Sequence, residues 1–561
     1  MNFQPGCAWR GMVCGFRFKR CWFLHHFANQ ACFPAMRTFV CLLMILAGFS
    51  VKLYAAISPE AVAIFYNSAV PESRKLADIY RIARDIPPEN LIALDMPTTA
   101  DISRVDYENR ILAPLRSEFE SRGWWERQVD KGGVIVPTVN RIQVLVVMRG
   151  VPLRIKAKPL PEGTTAPPMD PQNPVAGHDE ASVDSELAMF GVENLPTEGI
   201  LKNKFFQSAV SFPEAKMPFL VLTARIDAPT YATCERMIRD AVEVEKTGLW
   251  GRAYVDIANK FPQGDQWLDT VAQTTSNSGI PTVVDSFNDT LPKNYPMTDA
   301  ALYYGWYDWN VSGPFLNPRF QFRKGAVAIH LHSFSAEQLT DGTKNWCGPL
   351  LEKGAAVTAG NVFEPYLHLT HDFGILNQKL LDGFTWVEAC WSAMPVTSWQ
   401  GVVLGDPLYR PYKRFDGTGV KQEQDIEFRA LRAAVLEWKL DNQVRQNQLE
   451  KAAERMKSGV IAEAVALEGL KRKDFGGAAT WFRTAKTYYP KIDDKLRQDF
   501  QIISIDRAGN RKDLAVRGLR DAQTLYGAIP EADALKGWLD ILDPPPPPAA
   551  DPTKVPAVKQ P

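Results

Sequence analysis

Short runs of small, β-branched apolar residues recur along this chain, and several end in a burst of glycine and polar groups. The clearest are Gly325-Ala-Val-Ala-Ile-His-Leu-His-Ser-Phe-Ser335, Gly354-Ala-Ala-Val-Thr-Ala-Gly-Asn-Val-Phe-Glu-Pro365 and Val402-Val-Leu-Gly-Asp-Pro-Leu-Tyr-Arg-Pro411. A strand buried on both faces reads this way when its C-terminal end opens into a cleft. Runs of the same kind occupy residues 61–66, 91–95, 142–148, 219–223 and 253–257, with further ones near Thr282 and Ala301. Helical patterns alternate with them, from Pro71, over 104–122, over 231–247 and near 266–276. Strand–helix alternation of this length predicts an α/β fold with a doubly wound, mostly parallel sheet. In such a sheet ligands bind outside the C-terminal strand ends, which all lie on one side.

At 561 residues the chain has room for two to four domains. Its 45% hydrophobic and 23% charged content is that of a soluble globular protein. A formal net charge of zero gives no electrostatic footprint for nucleic acid. A polar, Pro-rich insertion covers 156–203. From about Asp425 strand patterns stop, and Ala, Glu, Lys, Arg and Leu take over at helical spacing. Within that region Ala466, Phe475, Ala478, Phe482, Ala485 and Pro490 fit the spacing of one tetratricopeptide helix pair, and equally a plain helical bundle. Five consecutive prolines, Pro544 to Pro548, open a tail expected to be disordered. The expected organisation is an N-terminal extension plus signal peptide (1–56), an α/β domain (57–420) that folds without the rest, a helical domain (421–543) and the tail (544–561).

Near the N-terminus Met36-Arg37 precedes an apolar run over 39–50, and Leu53-Tyr-Ala-Ala56 supplies small residues at a cleavage point. This is the layout of a secretory signal peptide, too short to span a bilayer. It predicts an exported protein, periplasmic or extracellular, with no membrane span after cleavage. Residues 1–35 hold four of the eight cysteines, and after cleavage only Cys234, Cys347 and Cys390 remain. They permit one disulfide at most and show no metal-ligand spacing.

Several motifs carry a resemblance: Asn67-Ser-Ala-Val-Pro-Glu-Ser-Arg, Ile86-Pro-Pro-Glu-Asn-Leu, Ser182-Val-Asp-Ser-Glu-Leu187, Tyr304-Gly-Trp-Tyr307, His330-Leu-His-Ser-Phe-Ser335 and Gly405-Asp-Pro-Leu-Tyr-Arg-Pro411. Together they resemble an uncharacterised family of secreted bacterial proteins from species that carry an exosortase. The resemblance covers about residues 58–415 and implies a cell-envelope setting without an established activity. The order of strand, Leu-Tyr-Tyr-Gly, Gly-Ala-rich strand and Leu-Gly-Asp-Pro is also similar to gingipain-like cysteine peptidases of caspase-like fold. That likeness implies a catalytic His after one strand and a Cys after the next. This chain has Trp306 in the first position and Ser333 or a neighbour in the second, so the Cys–His dyad is missing.

Other groups stand where a site could be rebuilt. His330 and His332 share a strand face, which makes them metal-ligand candidates if carboxylates join them, or structural histidines otherwise. His332, Ser333, Asp184, Glu186 and Asp406 are the catalytic candidates. Tyr304, Trp306, Tyr307, His330, His332, Ser335, Asn361, Glu364 and Arg149 are the expected lining of a ligand cleft. Cys347 precedes its strand and is expected out of reach of either histidine. No motif specifies a cofactor. Two functions follow: an exported envelope-associated, non-proteolytic binding or accessory protein, which the resemblance links to exosortase-type protein sorting or exopolysaccharide systems, with a protein or polysaccharide partner and its helical domain docking a protein; or a hydrolase, a peptidase relative or metal-dependent, using His332, Ser333 and nearby carboxylates.

Overall fold

A computed structural model describes residues 55–159, 163, 173–413 and 425–545. The expected signal sequence and nearly all of the proline tail lie outside the described residues. Ten strands build the main sheet: β1 (Val62–Asn67), β2 (Leu91–Leu94), β3 (Val144–Met148), β4 (Leu222–Ile226), β5 (Arg252–Asp256), β6 (Thr282–Asp285), β7 (Ala300–Gly305), β8 (Val327–His330), β9 (Thr358–Asn361) and β10 (Gly401–Leu404). Six of them run in the order β9-β10-β4-β3-β1-β2 and four in the order β6-β5-β7-β8. A parallel bridge between Val327 and Val357 joins the two sets.

All neighbouring pairs are parallel except β9 with β10, where Thr358 faces Leu404 and Asn361 faces Gly401. That single antiparallel pair reverses the sheet. β1, β2, β3, β4 and β10 end at one edge, here the first edge; β5, β6, β7, β8 and β9 end at the opposite, second edge. The expectation that all strand ends share one side is therefore corrected. Alternation along a strand fixes which residues are buried, but the direction of its neighbour is set by chain pairing far away in sequence.

Both faces of the first half-sheet are covered, which is why its strands read as unbroken apolar runs. Val62, Ile64 and Tyr66 belong to one buried cluster, while Ala63 and Phe65 belong to the other. The first face receives α1 (Pro71–Ala83) and α2 (Tyr231–Thr247). The second receives Tyr107, Ile111, Leu115 and Phe119 from the helix over 104–121. In α2 the buried residues Cys234, Met237, Ile238, Ala241 and Val244 recur at helical spacing. Its Thr230 hydroxyl accepts the Thr233 N–H at 3.1 Å, capping the first turn. It ends at Gly248, whose φ of +89° and closeness to the Trp250 ring leave no room for a Cβ.

Beyond α3 (Pro262–Asn277), the second half-sheet is covered by C-terminal helices that include α4 (Gly459–Lys471), α5 (Phe475–Tyr488), α6 (Ile492–Ala508) and α7 (Asp533–Leu542). Leu496, Phe500, Ile503, Leu519 and Trp538 join the same buried cluster as Tyr254, Leu302 and Tyr303. Each such side chain contributes about 2 kcal/mol of burial. A buried ionic network ties the layers together: Glu463 of α4 meets Arg252 of β5 at 3.0 Å and Arg497 of α6 at 2.7 Å. The compositional change near residue 425 is thus not a seam in the packing. Among the described residues no helix is long and apolar enough to cross a membrane.

Candidate functional site

The second edge gathers His330, His332 and the aromatic residues that follow β7. His330 ends β8 fully buried, its ring stacked on Trp346 with centroids 3.4 Å apart and planes at 8°. Its Nε2 accepts the Asp308 N–H at 3.2 Å, which places the proton on Nδ1, where the Tyr303 hydroxyl lies at 3.0 Å. Burial, then the neighbouring His332, hold its pKa well below the ordinary histidine value. Both ring nitrogens are occupied in a neutral imidazole, so no lone pair is left for a metal. Among the described residues no group of three His, Cys, Asp or Glu side chains is placed to hold one.

His332 lies beyond the strand end. Its Nδ1 donates to the Ser333 backbone carbonyl, and burial lowers its pKa. Ser333 therefore meets His332 through its carbonyl rather than its hydroxyl, and the nucleophile–base pair does not assemble there. The His332 ring sits 4.6 Å from Tyr307 and 4.9 Å from Trp309. Phe261 lies 6.1 Å from Tyr307 on the other side. Phe261 is 52% exposed, Tyr307 38% and Trp309 55%, so three rings form an open aromatic surface, with the buried His332 imidazole beneath Tyr307 and Trp309.

The other expected cleft residues at this edge are structural. Trp306 is buried against Gly264 and donates its indole N–H to Asp265 at 2.8 Å. Tyr304 is buried beside Phe373 at 5.8 Å, with its hydroxyl unpartnered. The Ser335 hydroxyl accepts the Asn361 N–H at 3.0 Å, and the Asn361 side chain is paired with Thr370 at 2.9 Å. Glu364 is exposed and accepts the Tyr366 N–H. Cys347 points at the Ala359 carbonyl, 3.7 Å away, rather than at a histidine. Burial pushes its thiol up to about 12, which removes the thiolate a nucleophile needs. Cys234 and Cys390 are likewise buried and free.

The remaining candidates lie elsewhere, because the sheet reverses. Asp406 is at the first edge, fully buried, accepting from the Tyr80 hydroxyl at 2.8 Å and from Arg84 at 2.6 Å. Arg149 is at the same edge, paired with Asp227 at 2.9 Å. Asp184 is the buried counter-ion of Arg225, gripped at 2.7 and 3.1 Å. Glu186 binds Arg104 at 3.1 Å and the Ser398 hydroxyl at 2.7 Å. The strand-end pattern predicts one pocket lined by His332, Ser333, Trp306, Asp184, Glu186, Asn361, Glu364 and Asp406; the structure does not form it, since Asp184, Glu186 and Asp406 are held by Arg225, Arg104 and Arg84.

Sequence reading missed Asp256 and Asp285, which end β5 and β6 and face each other in register. Asp256 Oδ2 accepts the Leu291 N–H at 3.1 Å, while Oδ1 is buried without a partner. Burial and then Asp285 raise the Asp256 pKa well above the carboxylate range. Burial raises Asp285 to about 7 against the opposing pull of Arg507. The signal was available: both apolar runs, Ala253-Tyr-Val-Asp256 and Thr282-Val-Val-Asp285, end in aspartate at adjacent strand ends. Compared with family models, curated proteins and solved structures, the chain matches none.

Proposed function

We propose that this chain is an exported, envelope-associated binding protein whose ligand, a polysaccharide, stacks on the second-edge surface of Phe261, Tyr307 and Trp309, with the buried His332 imidazole supporting the last two rings. The observation that carries the reading is the exposure of Phe261, Tyr307 and Trp309 there, the first two in ring contact and the last two packed on the same His332 imidazole. Contiguous apolar surface of this sort marks interaction sites, and amphipathic rings present a flat face with a polar rim. The fate of the catalytic candidates supports it as well: His330 is spent on Tyr303 and Asp308, His332 is fixed through Nδ1 to a carbonyl with no hydroxyl or thiol nucleophile paired to it, and Asp184, Glu186 and Asp406 are spent on arginines. The hydrolase alternative has no assembled nucleophile at these residues.

The finer readings belong with this proposal. They are the signal peptide, the kinship with secreted proteins of exosortase-carrying species, and a caspase-like topology that has lost its dyad. The antiparallel pair α4 and α5, where Gly469 comes within about a methyl contact of Ala478, is the tetratricopeptide-like element that docks a protein.

The test is retention of the purified chain on neutral and acidic polysaccharides by affinity electrophoresis. Trp309→Ala and Tyr307→Ala each weaken retention about five- to thirtyfold while the thermal midpoint stays unchanged, the stacking loss being about 1–2 kcal/mol. Retention equal to wild type in both variants sinks the proposal. Peptide or ester turnover abolished by His332→Ala would put the hydrolase in its place.

A further inference from the structure

At the first edge, far from the aromatic surface in the strand order, the sheet opens into a cavity of about 320 Å³. It lies where the chain leaves β1 for β2 on one side and returns to β3 on the other. Such a switch point between adjacent parallel strands leaves a crevice, because the connecting segments diverge. Val70 after β1, Thr98 to Ala100 after β2, Arg149 to Arg154 after β3, and Asp227 with Tyr231 after β4 line it, closed on the far side by 337–340.

Two guanidinium groups face this space, and neither is spent. Arg149 is held in place by Asp227 at 2.9 Å, by the Ala228 and Pro229 carbonyls, and by stacking over Tyr231 at 4.9 Å. These contacts use both Nη1 hydrogens and one on Nη2. The Nε–H and the second Nη2 hydrogen remain, with no protein partner among the described residues. Arg154 is fixed through Nε to Asp101 at 2.6 Å and through Nη1 to the Glu337 carbonyl at 2.8 Å, which leaves Nη2 open. None of these open atoms is sealed in protein. The acceptors nearby are largely consumed. Asp227 takes Arg149 and the Ala228 N–H on one oxygen and Arg225 on the other. Glu337 stands 3.8 Å from Arg154 as the remaining carboxylate.

We infer that this crevice binds a small ligand through an oxyanion, a phosphate ester or a carboxylate, gripped by the open edges of Arg149 and Arg154. A planar guanidinium fork matches both groups in a bidentate way. α1 and α2 begin at Pro71 and Tyr231, so the positive ends of two helices also face the crevice. The volume is that of a small-molecule site. The binding depends on none of the residues of the aromatic surface.

Calorimetric titration of the full chain with inorganic phosphate, glucose 1-phosphate, glucuronate and glucose tests it. A saturable isotherm with one of the anions, and none with glucose, is expected. Phosphate-type binding identifies a phosphate ester as the ligand class, and glucuronate binding a carboxylate. Affinity falls at least tenfold in Arg154→Gln and in Ala100→Trp, which fills the exposed rim without removing any polar partner. Arg149→Gln gives the same loss, but it also frees Asp227, so the other two variants decide if it misfolds. No saturable anion binding, equal binding of glucose, or unchanged affinity in Arg154→Gln and Ala100→Trp overturns the inference.

Discussion

Strand β5 carries an ionisable side chain at each end, Arg252 and Asp256, and both are fully buried beneath the C-terminal helices. The two ends solve the cost of burial in opposite ways. At the Arg252 end every group is ionised and matched. Burial opposes the charge on Glu463, but Arg252 and Arg497 outweigh it and hold its carboxyl at about 2. At the Asp256 end like charges meet, and burial raises Asp256 and Asp285 so that the pair keeps protons well above the ordinary carboxylate range. A buried charge persists only when paired; otherwise the group neutralises. The first arrangement fastens the helices to the sheet, and the second leaves a pH-sensitive spot under the same roof.

The largest test of that contrast removes the roof. A fragment of residues 57–420 loses Glu463 and Tyr489 from Arg252 and strips Leu496, Phe500 and Trp538 from the shared core. It is expected to show no cooperative unfolding by calorimetry, against the modular reading of the sequence. A sharp unfolding transition in that fragment would show that the ionic network is dispensable.

Next in size is Glu463→Gln, which leaves two fully buried arginines short of their shared counter-charge. Breaking such a network costs about 3–5 kcal/mol. Denaturant midpoints measure it, and a loss below 1 kcal/mol would mean that Asp299 and Asp494 suffice as partners.

A smaller effect separates the two ends by pH. The folded pKa of Asp285, about 7, exceeds the unfolded value of about 3.9. The folded state then holds the proton more tightly, so this stability is complete below about pH 4 and lost as pH rises through 7. Glu463 behaves in reverse: its contribution is complete above about pH 4.3 and lost as pH falls toward 2. Asp285→Asn should flatten the decline in thermal midpoint between pH 5 and 8 while leaving the acid limb unchanged. Parallel curves for variant and wild type would refute the protonated pair.

The smallest effect belongs to a buried group that is neutral throughout. Cys347→Ala should cost about 1 kcal/mol, and the native thiol should resist alkylation at pH 8, since its pKa is near 12. Rapid labelling of Cys347 in the folded chain would restore a thiol-based site.

Much of this fold was legible because its strands announce themselves. The expected runs at 61–66, 91–95 and 253–257 fall within one residue of β1, β2 and β5. The run at 219–223 was placed three residues early, because Phe219 to Val221 is as apolar as the strand itself. The reversal at β9 and β10 was not legible, since parallel and antiparallel neighbours leave the same period-two pattern. That one pairing moved Asp406 and Arg149 away from His332. The counter-ions of Asp184 and Glu186 were equally hidden: Arg225 and Arg104 lie 41 and 82 positions away in sequence. The aromatic surface was legible in Tyr307 and, in part, through Trp306, whose ring turned inward to fill the space left by Gly264.

The reversal of the sheet also reorganises the field around the protein. In a sheet with all strands aligned, the helices that follow them point the same way and their dipoles add. Here α1 and α2 start at the first edge, whereas α3, which follows β5, starts at the second. The two sets oppose one another. With the helix dipoles opposed, neither edge collects the positive ends of all the helices, so their summed dipole does not favour one edge over the other.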